Sequence, residues 1–186
     1  GLEAGAMADE SWDDLRALLT EVCLSQPQCV VHRDFHSRNI MCLPDDRLGL
    51  IDFQDAVVGP ITYDPVSLLK DCYIQWPRSD QLRWLESYRQ TLLSTGVLVP
   101  GESAFIRDFD LVGLQRHLRV LGVFARLCLR DGKPDYLKDL PLVLAYTREM
   151  LALYEREPAI AAFSEWFEGV VMPRIAAQEW YQQAAK

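Results

Sequence analysis

No stretch of this 186-residue chain approaches the ~20 consecutive apolar residues that a membrane-crossing helix needs, so no membrane partner is expected. Cysteine is sparse and unpatterned. Cys23, Cys29, Cys42, Cys72 and Cys128 are odd in number and never stand as C-x-x-C, which argues against a disulfide framework and a zinc site, and points to reduced thiols in a cytoplasmic protein. Positive charge is in short supply: 19 Lys and Arg face 27 Asp and Glu, a net charge of -8. A nucleic-acid partner is thereby disfavoured, because phosphate binding is driven by dense Lys and Arg. The ten glycines never fall in G-x-G-x-x-G spacing, and there is no internal repeat or low-complexity tract. Gly1 to Met7 lacks both a basic start and a long apolar stretch, so no secretory leader is expected, and residues 1–10 read as a linker or an expression scar.

What is present is the composition of a soluble globular domain, with 49% hydrophobic and 25% charged residues. A single body of this length buries roughly 70% of its unfolded surface, enough for one real core. Apolar spacing predicts a helix over Trp12–Cys23 with Ser11 as its cap. Three β-like pieces follow, Cys29–Val31, Ile40–Leu43 and Leu48–Ile51, the last two joined by a turn at Pro44–Arg47. Beyond residue 64 the pattern is helical: a short helix from Pro65 capped by Asp64, one over Ser79–Ser94 ending at Gly96, a long one over Glu102–Leu129, and further helices within Lys138–Tyr154, Ala159–Val170 and the C-terminal tail.

The small β unit carries the chemistry. His32-Arg33-Asp34-Phe35-His36-Ser37-Arg38-Asn39, followed by Ile51-Asp52-Phe53-Gln54-Asp55, supplies an acid, an amide and a second acid, as a phosphoryl-transfer site requires. Asp34, on the loop between two strands, is placed to take the proton of an acceptor hydroxyl. Asn39 offers an amide oxygen to Mg2+, and folding of the hairpin brings Asp52 beside it. One carboxylate and one amide suffice, because magnesium keeps several waters and is completed by substrate phosphates.

The string His-x-Asp-x-His-x-x-Asn followed by Ile-Asp-Phe resembles the core of the aminoglycoside phosphotransferase and choline kinase family, small-molecule kinases with a protein-kinase-like fold. Within it, the His-Arg-Asp start, Val58 to Pro65 and Gln115-Arg116-His117-Leu118 are similar to a bacterial branch that phosphorylates the anomeric hydroxyl of N-acetylmuramate or N-acetylglucosamine in cell-wall recycling. The resemblance implies a mainly α fold with a small β hairpin unit, residues 11–186 forming the C-terminal lobe of a protein-kinase-like fold. It implies ATP and Mg2+, with Asp34 as catalytic base, His32 bracing its loop, Asn39 and Asp52 as metal ligands and Asp64 supporting the loop from below. His36, Arg116 and His117 are the expected substrate contacts. Aminoglycoside or choline-type acceptors, and a non-catalytic binding module, are the alternatives. Protein substrates are disfavoured, since Gln54 stands where a Gly would follow Asp52-Phe53.

Such kinases place a glycine-rich loop and a strand lysine ahead of this region, and neither is in this chain. The N-terminal nucleotide lobe is therefore expected to be missing, and the chain alone to have little or no activity. Two blander readings compete locally. Arg116, Arg119, Arg126 and Arg130 fall on one side of the long helix, a face that solvated pairing with the chain's own carboxylates explains better than anion recognition. Tyr73, Trp76, Trp84 and Tyr88 suit core packing better than sugar stacking.

Overall fold

In the computed structural model, which describes residues 9–184, the chain is mainly helical with two small antiparallel strand pairs. Helix α1 (Asp9–Ser25) leads into strands β1 (Gln28–Val31), β2 (Ile40–Cys42), β3 (Leu48–Leu50) and β4 (Val57–Pro60). Helices α2 (Tyr63–Leu69), α3 (Arg78–Ser94), α4 (Glu102–Leu129), α5 (Leu140–Leu153), α6 (Pro158–Trp166), α7 (Met172–Ala176) and α8 (Glu179–Ala184) follow. Residues 1–8 of the expected linker lie outside the described residues. No described helix is long and apolar enough to cross a membrane.

The helical expectations hold with three corrections. Helix α1 already includes Asp9, so Ser11 sits within the helix and does not cap it. Helix α2 begins at Tyr63 with Thr62 in the capping position, so Asp64 is not a cap and its carboxylate is used elsewhere. Between α6 and α7 the backbone passes through a π-helical turn, Phe167–Val171, which periodicity alone does not signal. The β unit is also larger than one hairpin. β2 and β3 pair as expected, across a turn in which Asp45 and Asp46 take positive φ, a conformation Asp tolerates better than most residues. A second pair joins β1 to β4, with Cys29 opposite Gly59. Val57-Val58-Gly59-Pro60 is a weak strand signal, since Gly and Pro both depress it, and its partner lies far back in sequence.

The chain divides into two compact units. One comprises the described parts of Gly1–Thr20 and Leu114–Lys186, with Leu114, Val143, Met150, Ile160 and Phe163 buried. Its aromatic contacts include Phe163 with Trp12 and Phe167, at centroid distances of 6.0 and 5.7 Å. The other unit, Glu21–Gly113, contains the whole β region, α2 and α3. Val31, Ile61, Val66, Leu85, Phe105 and Phe109 are buried there.

Within this second unit sits a buried ion cluster. Lys70, 1% exposed, donates from Nζ to Asp110 Oδ1 at 2.8 Å, and Asp110 is 0% exposed. Arg78 closes a fork on the same carboxylate at 2.5 and 2.6 Å. Lys70 Nζ also lies 4.9 Å from the centre of the Phe109 ring. Gly113 leaves room here, because a Cβ would approach Lys70 Cδ at 3.2 Å and Nζ at 3.4 Å and the lysine would have to shift by a few tenths of an ångström. Burial works against the ionised form of Asp110, but the bonds and charges of Arg78 and Lys70 outweigh it and hold the carboxyl below its ordinary range.

A depressed carboxyl contributes stability above its unfolded pKa near ~3.9, and that contribution is lost as pH falls through the lower folded value. Asp110→Ala should cost about 3–5 kcal/mol in urea unfolding at neutral pH, by leaving the Lys70 ammonium buried without this carboxylate. Asp110→Leu combined with Lys70→Met should recover most of that loss and flatten the acid limb of the stability profile. An unchanged midpoint for the single variant would show that the cluster is not structural.

Candidate active site

Strand register assembles the site. Ile40 opposite Leu50 makes Asn39 and Ile51 the next pair outward, and the Ile51 N–H indeed donates to the Asn39 carbonyl at 3.2 Å. Asp52 therefore follows directly beside Asn39. The Asn39 side-chain nitrogen lies 3.5 Å from Asp52 Oδ2 and donates to the Asp34 carbonyl at 2.9 Å. Gln54 Nε2 donates to Asp52 Oδ1 at 2.6 Å. Asp52 itself has φ of 66°, a left-handed backbone turn at the end of β3. One amide thus links the residue positions 34, 39 and 52.

His32 ties the two halves together. Its Nε2 contacts the Ile51 carbonyl at 2.9 Å, and since a carbonyl only accepts, the ring carries its proton on Nε2. This bond joins the start of the loop to the residue before Asp52. Its Nδ1 is buried without a hydrogen-bond partner among the described residues.

Helix α2 grips the loop. Asp64 Oδ2 accepts the His32 N–H at 2.7 Å and Oδ1 the Arg33 N–H at 3.0 Å. One turn on, Ser67 Oγ donates to the Arg33 carbonyl at 3.3 Å, sharing its proton with Tyr63 O at 3.1 Å. Just past the helix end, Asp71, 3% exposed, accepts the Ser37 N–H at 3.2 Å and the Ser37 hydroxyl at 2.7 Å on Oδ2. Asp71 Oδ1 takes the Tyr73 N–H at 3.2 Å. Arg33, between the Asp64 and Ser67 bonds, holds φ of 74°, which costs a non-glycine residue of order 1–2 kcal/mol. The charge-assisted bonds to Asp64 offset that strain.

Asp34, His32, Asn39, Asp52, His36 and Asp64 all lie in the Glu21–Gly113 unit. Arg116 and His117 belong to the other unit. His117 is 1% exposed and lies flat against Tyr146 at 5.0 Å, the setting of a packed ring. Arg130, one residue past the end of α4, pairs in solvent with Asp131 at 2.7 Å, as the solvated-pairing reading expects. Ser67 and Asp71 were missed by sequence reasoning, although the spacing of Asp64 and Ser67 at i and i+3 puts both on one side of a helix.

A cavity of about 870 Å³ adjoins the loop, lined mainly by apolar groups that include Val30, Phe35, Phe53, Trp76, Trp84 and Tyr88, with His32 and Asp64 among its walls. Trp76, Trp84 and Tyr88 thus line open space while also packing as expected, Trp76 edge-on to Trp84 at 5.2 Å and Tyr88 stacked on the buried Phe105 at 6.3 Å. Tyr88 donates to the Ile61 carbonyl at 3.1 Å, and burial, with the charges of Cys29 and Asp64, pushes its hydroxyl up to about 12. Around the site the apolar surface is open: Val58 is 72% and Phe53 66% exposed.

Asn39 and Asp52 present hard oxygen donors, suited to Mg2+. The Asn39 nitrogen is spent on the Asp34 carbonyl, which leaves its amide oxygen available as a ligand. Among the described residues no three His, Cys, Asp or Glu side chains cluster as a metal centre, so any cation here takes most of its shell from water or substrate.

Residues 1–103 match the model of the phosphotransferase enzyme family. The chain is 44% identical over 156 residues to the N-acetylmuramate/N-acetylglucosamine kinase of Pseudomonas putida, covering 83% of this chain and 45% of that protein. The like-named proteins of Pseudomonas aeruginosa and Neisseria meningitidis serogroup B are 40% and 42% identical, over 89% and 83% of this chain and 48% and 46% of their own lengths. The chain thus spans a little under half the length of these relatives.

Hydrogen exchange followed by NMR tests the grip directly. Asp64→Ala should speed exchange of the His32 and Arg33 amides by about tenfold to a hundredfold, and Asp71→Ala should do so at Ser37 and Tyr73, matching ~1.5–3 kcal/mol for a bond to a charged acceptor. Each effect should stay with its own pair of amides. Uniform acceleration across the unit would mean that both residues act only through global stability.

Proposed function

The chain belongs to the phosphotransferase enzyme family, and on that footing we propose that Glu21–Gly113 carries the acceptor and metal side of a small-molecule kinase. The reaction is transfer of the γ-phosphoryl group of ATP to the anomeric hydroxyl of N-acetylmuramate or N-acetylglucosamine, the sugars in the relatives' names. One observation carries this reading: the Asn39 amide lies between the Asp34 backbone and the Asp52 carboxylate at the mouth of the hairpin.

Asp34 is the general base, taking the hydroxyl proton as the oxygen attacks, an assistance typically worth about 10² to 10⁴ in rate. Asn39 and Asp52 are the Mg2+ ligands. When bound, the ion neutralises charge on the phosphates, which is most of what phosphoryl transfer asks of a site. His32 holds the loop to the strand that carries Asp52, through its bond to the Ile51 carbonyl. Asp64 supports the loop backbone from α2. His36 faces the acceptor.

Residues 11–186 serve as the C-terminal lobe. The open apolar surface around Val58 and Phe53 is the face that the remaining length of such relatives would cover, since exposed patches of this kind mark interaction sites. The described cysteines form no disulfide, which suits a reducing, cytoplasmic setting.

The test is a phosphorylation screen with protein expressed from its native reading frame, ATP and Mg2+. It should phosphorylate both amino sugars, Asp34→Asn should lower kcat by about 10²-fold or more, and residues 1–186 alone should turn over neither sugar. Transfer to aminoglycosides or choline in place of the amino sugars would replace the acceptor class. No transfer to any of them would favour a binding module.

A further inference from the structure

We propose that Arg38, held over the ring of Tyr73, is the residue by which this site separates an acidic amino sugar from a neutral one; the proposal rests on the kinase reading above. The guanidinium carbon of Arg38 lies 3.4 Å from the Tyr73 ring centre. Arg16, Arg83, Arg89 and Arg148 in this acidic chain are neutralised by Asp13, Asp80, Glu86 and Glu168, but the Arg38 side chain makes no ion pair among the described residues. Stacking occupies the flat face of a guanidinium and leaves its N–H edge free, the edge that pairs with a carboxylate in a fork.

The platform under Arg38 is fixed to the catalytic loop. The carboxylate of Asp71 binds the Tyr73 N–H through one oxygen and both the N–H and hydroxyl of Ser37, the residue before Arg38, through the other. Arg38 and the ring beneath it are therefore held by one buried acid. His36 meets the same ring edge-on, at 5.7 Å and 85°, and its Nδ1 is buried without a hydrogen-bond partner among the described residues. A cationic fork and an imidazole thus bracket Tyr73, at positions two and four after Asp34 in sequence. N-acetylmuramate differs from N-acetylglucosamine by a lactyl ether ending in a carboxylate, the one group on these sugars that a fixed guanidinium would favour. Arg116, the arginine suggested by the sequence, belongs to the other unit.

The experiment measures kcat and KM for both sugars with the native-frame protein and its Arg38→Ala, Arg38→Lys and Tyr73→Leu variants, after phosphorylation of both sugars by the unaltered protein has been established. Arg38→Ala should lower the ratio of kcat/KM for N-acetylmuramate over N-acetylglucosamine by about tenfold or more, through KM for the acidic sugar. Arg38→Lys should restore part of the ratio, and Tyr73→Leu should lower it less than Arg38→Ala does. An unchanged ratio, whether the two sugars lose activity together or keep it, would overturn the assignment. If the unaltered protein phosphorylates neither sugar, the kinase reading fails and the assignment falls with it.

Discussion

Asp64, Ser67 and Asp71 bind the backbone of residues 32 to 37, and the rest of the site is arranged around that grip. Between β1 and β2 the loop has few backbone partners of its own, chiefly His36 N–H to Asp34 O and Asn39 N–H to His36 O. A segment so thinly bonded, with Arg33 in a left-handed conformation, keeps one shape only if something outside it supplies hydrogen-bond partners. Two carboxylates and a hydroxyl do so. Asp64 and Ser67 stand one helical turn apart, so a helix of only seven residues is enough to present them, and Asp71 follows just past its end.

The grip is itself anchored. Lys70 lies between Ser67 and Asp71 in sequence, and its ammonium is buried against Asp110 of α4 together with Arg78 of α3. A buried charge tolerates little displacement, because moving away from its partner leaves it desolvated and unpaired. The end of α2, and with it Asp71, is thus held against the long helix. The second constraint on the site is the β2–β3 ladder, whose register sets Asp52 beside Asn39, with the His32–Ile51 bond closing the loop onto the hairpin.

Much of this was legible in the sequence for local reasons. The α4 boundaries followed from apolar periodicity and from Asp131-Gly132, and the β2–β3 hairpin from Pro44 and the acidic turn. His32, Asp34, Asn39 and Asp52 stood out through spacing, and the hairpin brings them to one junction. Asp64 carried two readings, a cap from its local position and a support of the loop from the family resemblance; the cap reading fails, because an acid at the start of a helix reads as a cap until its long-range partners, here the His32 and Arg33 amides, are known. Asp71 and Ser67 were missed because their partners lie 34 residues away, beyond the reach of any short motif. β4 escaped for the same reason: four residues containing Gly and Pro become a strand only when β1 supplies the ladder.

By itself the sequence determined which segments are helical, where the hairpin turns and which residue types a phosphoryl-transfer site could draw on, because those depend on propensity, periodicity and turn chemistry within a few residues. Only the tertiary structure decided which acids hold the loop, that Lys70 is buried against Asp110, that Trp76 and Trp84 line a cavity, and that Arg38 lies on Tyr73. Those facts depend on hydrogen bonds, charge pairs and ring contacts between residues tens of positions apart. Such contacts acquire energy only after the chain has closed the loops between them, and no local pattern of residues encodes that closure.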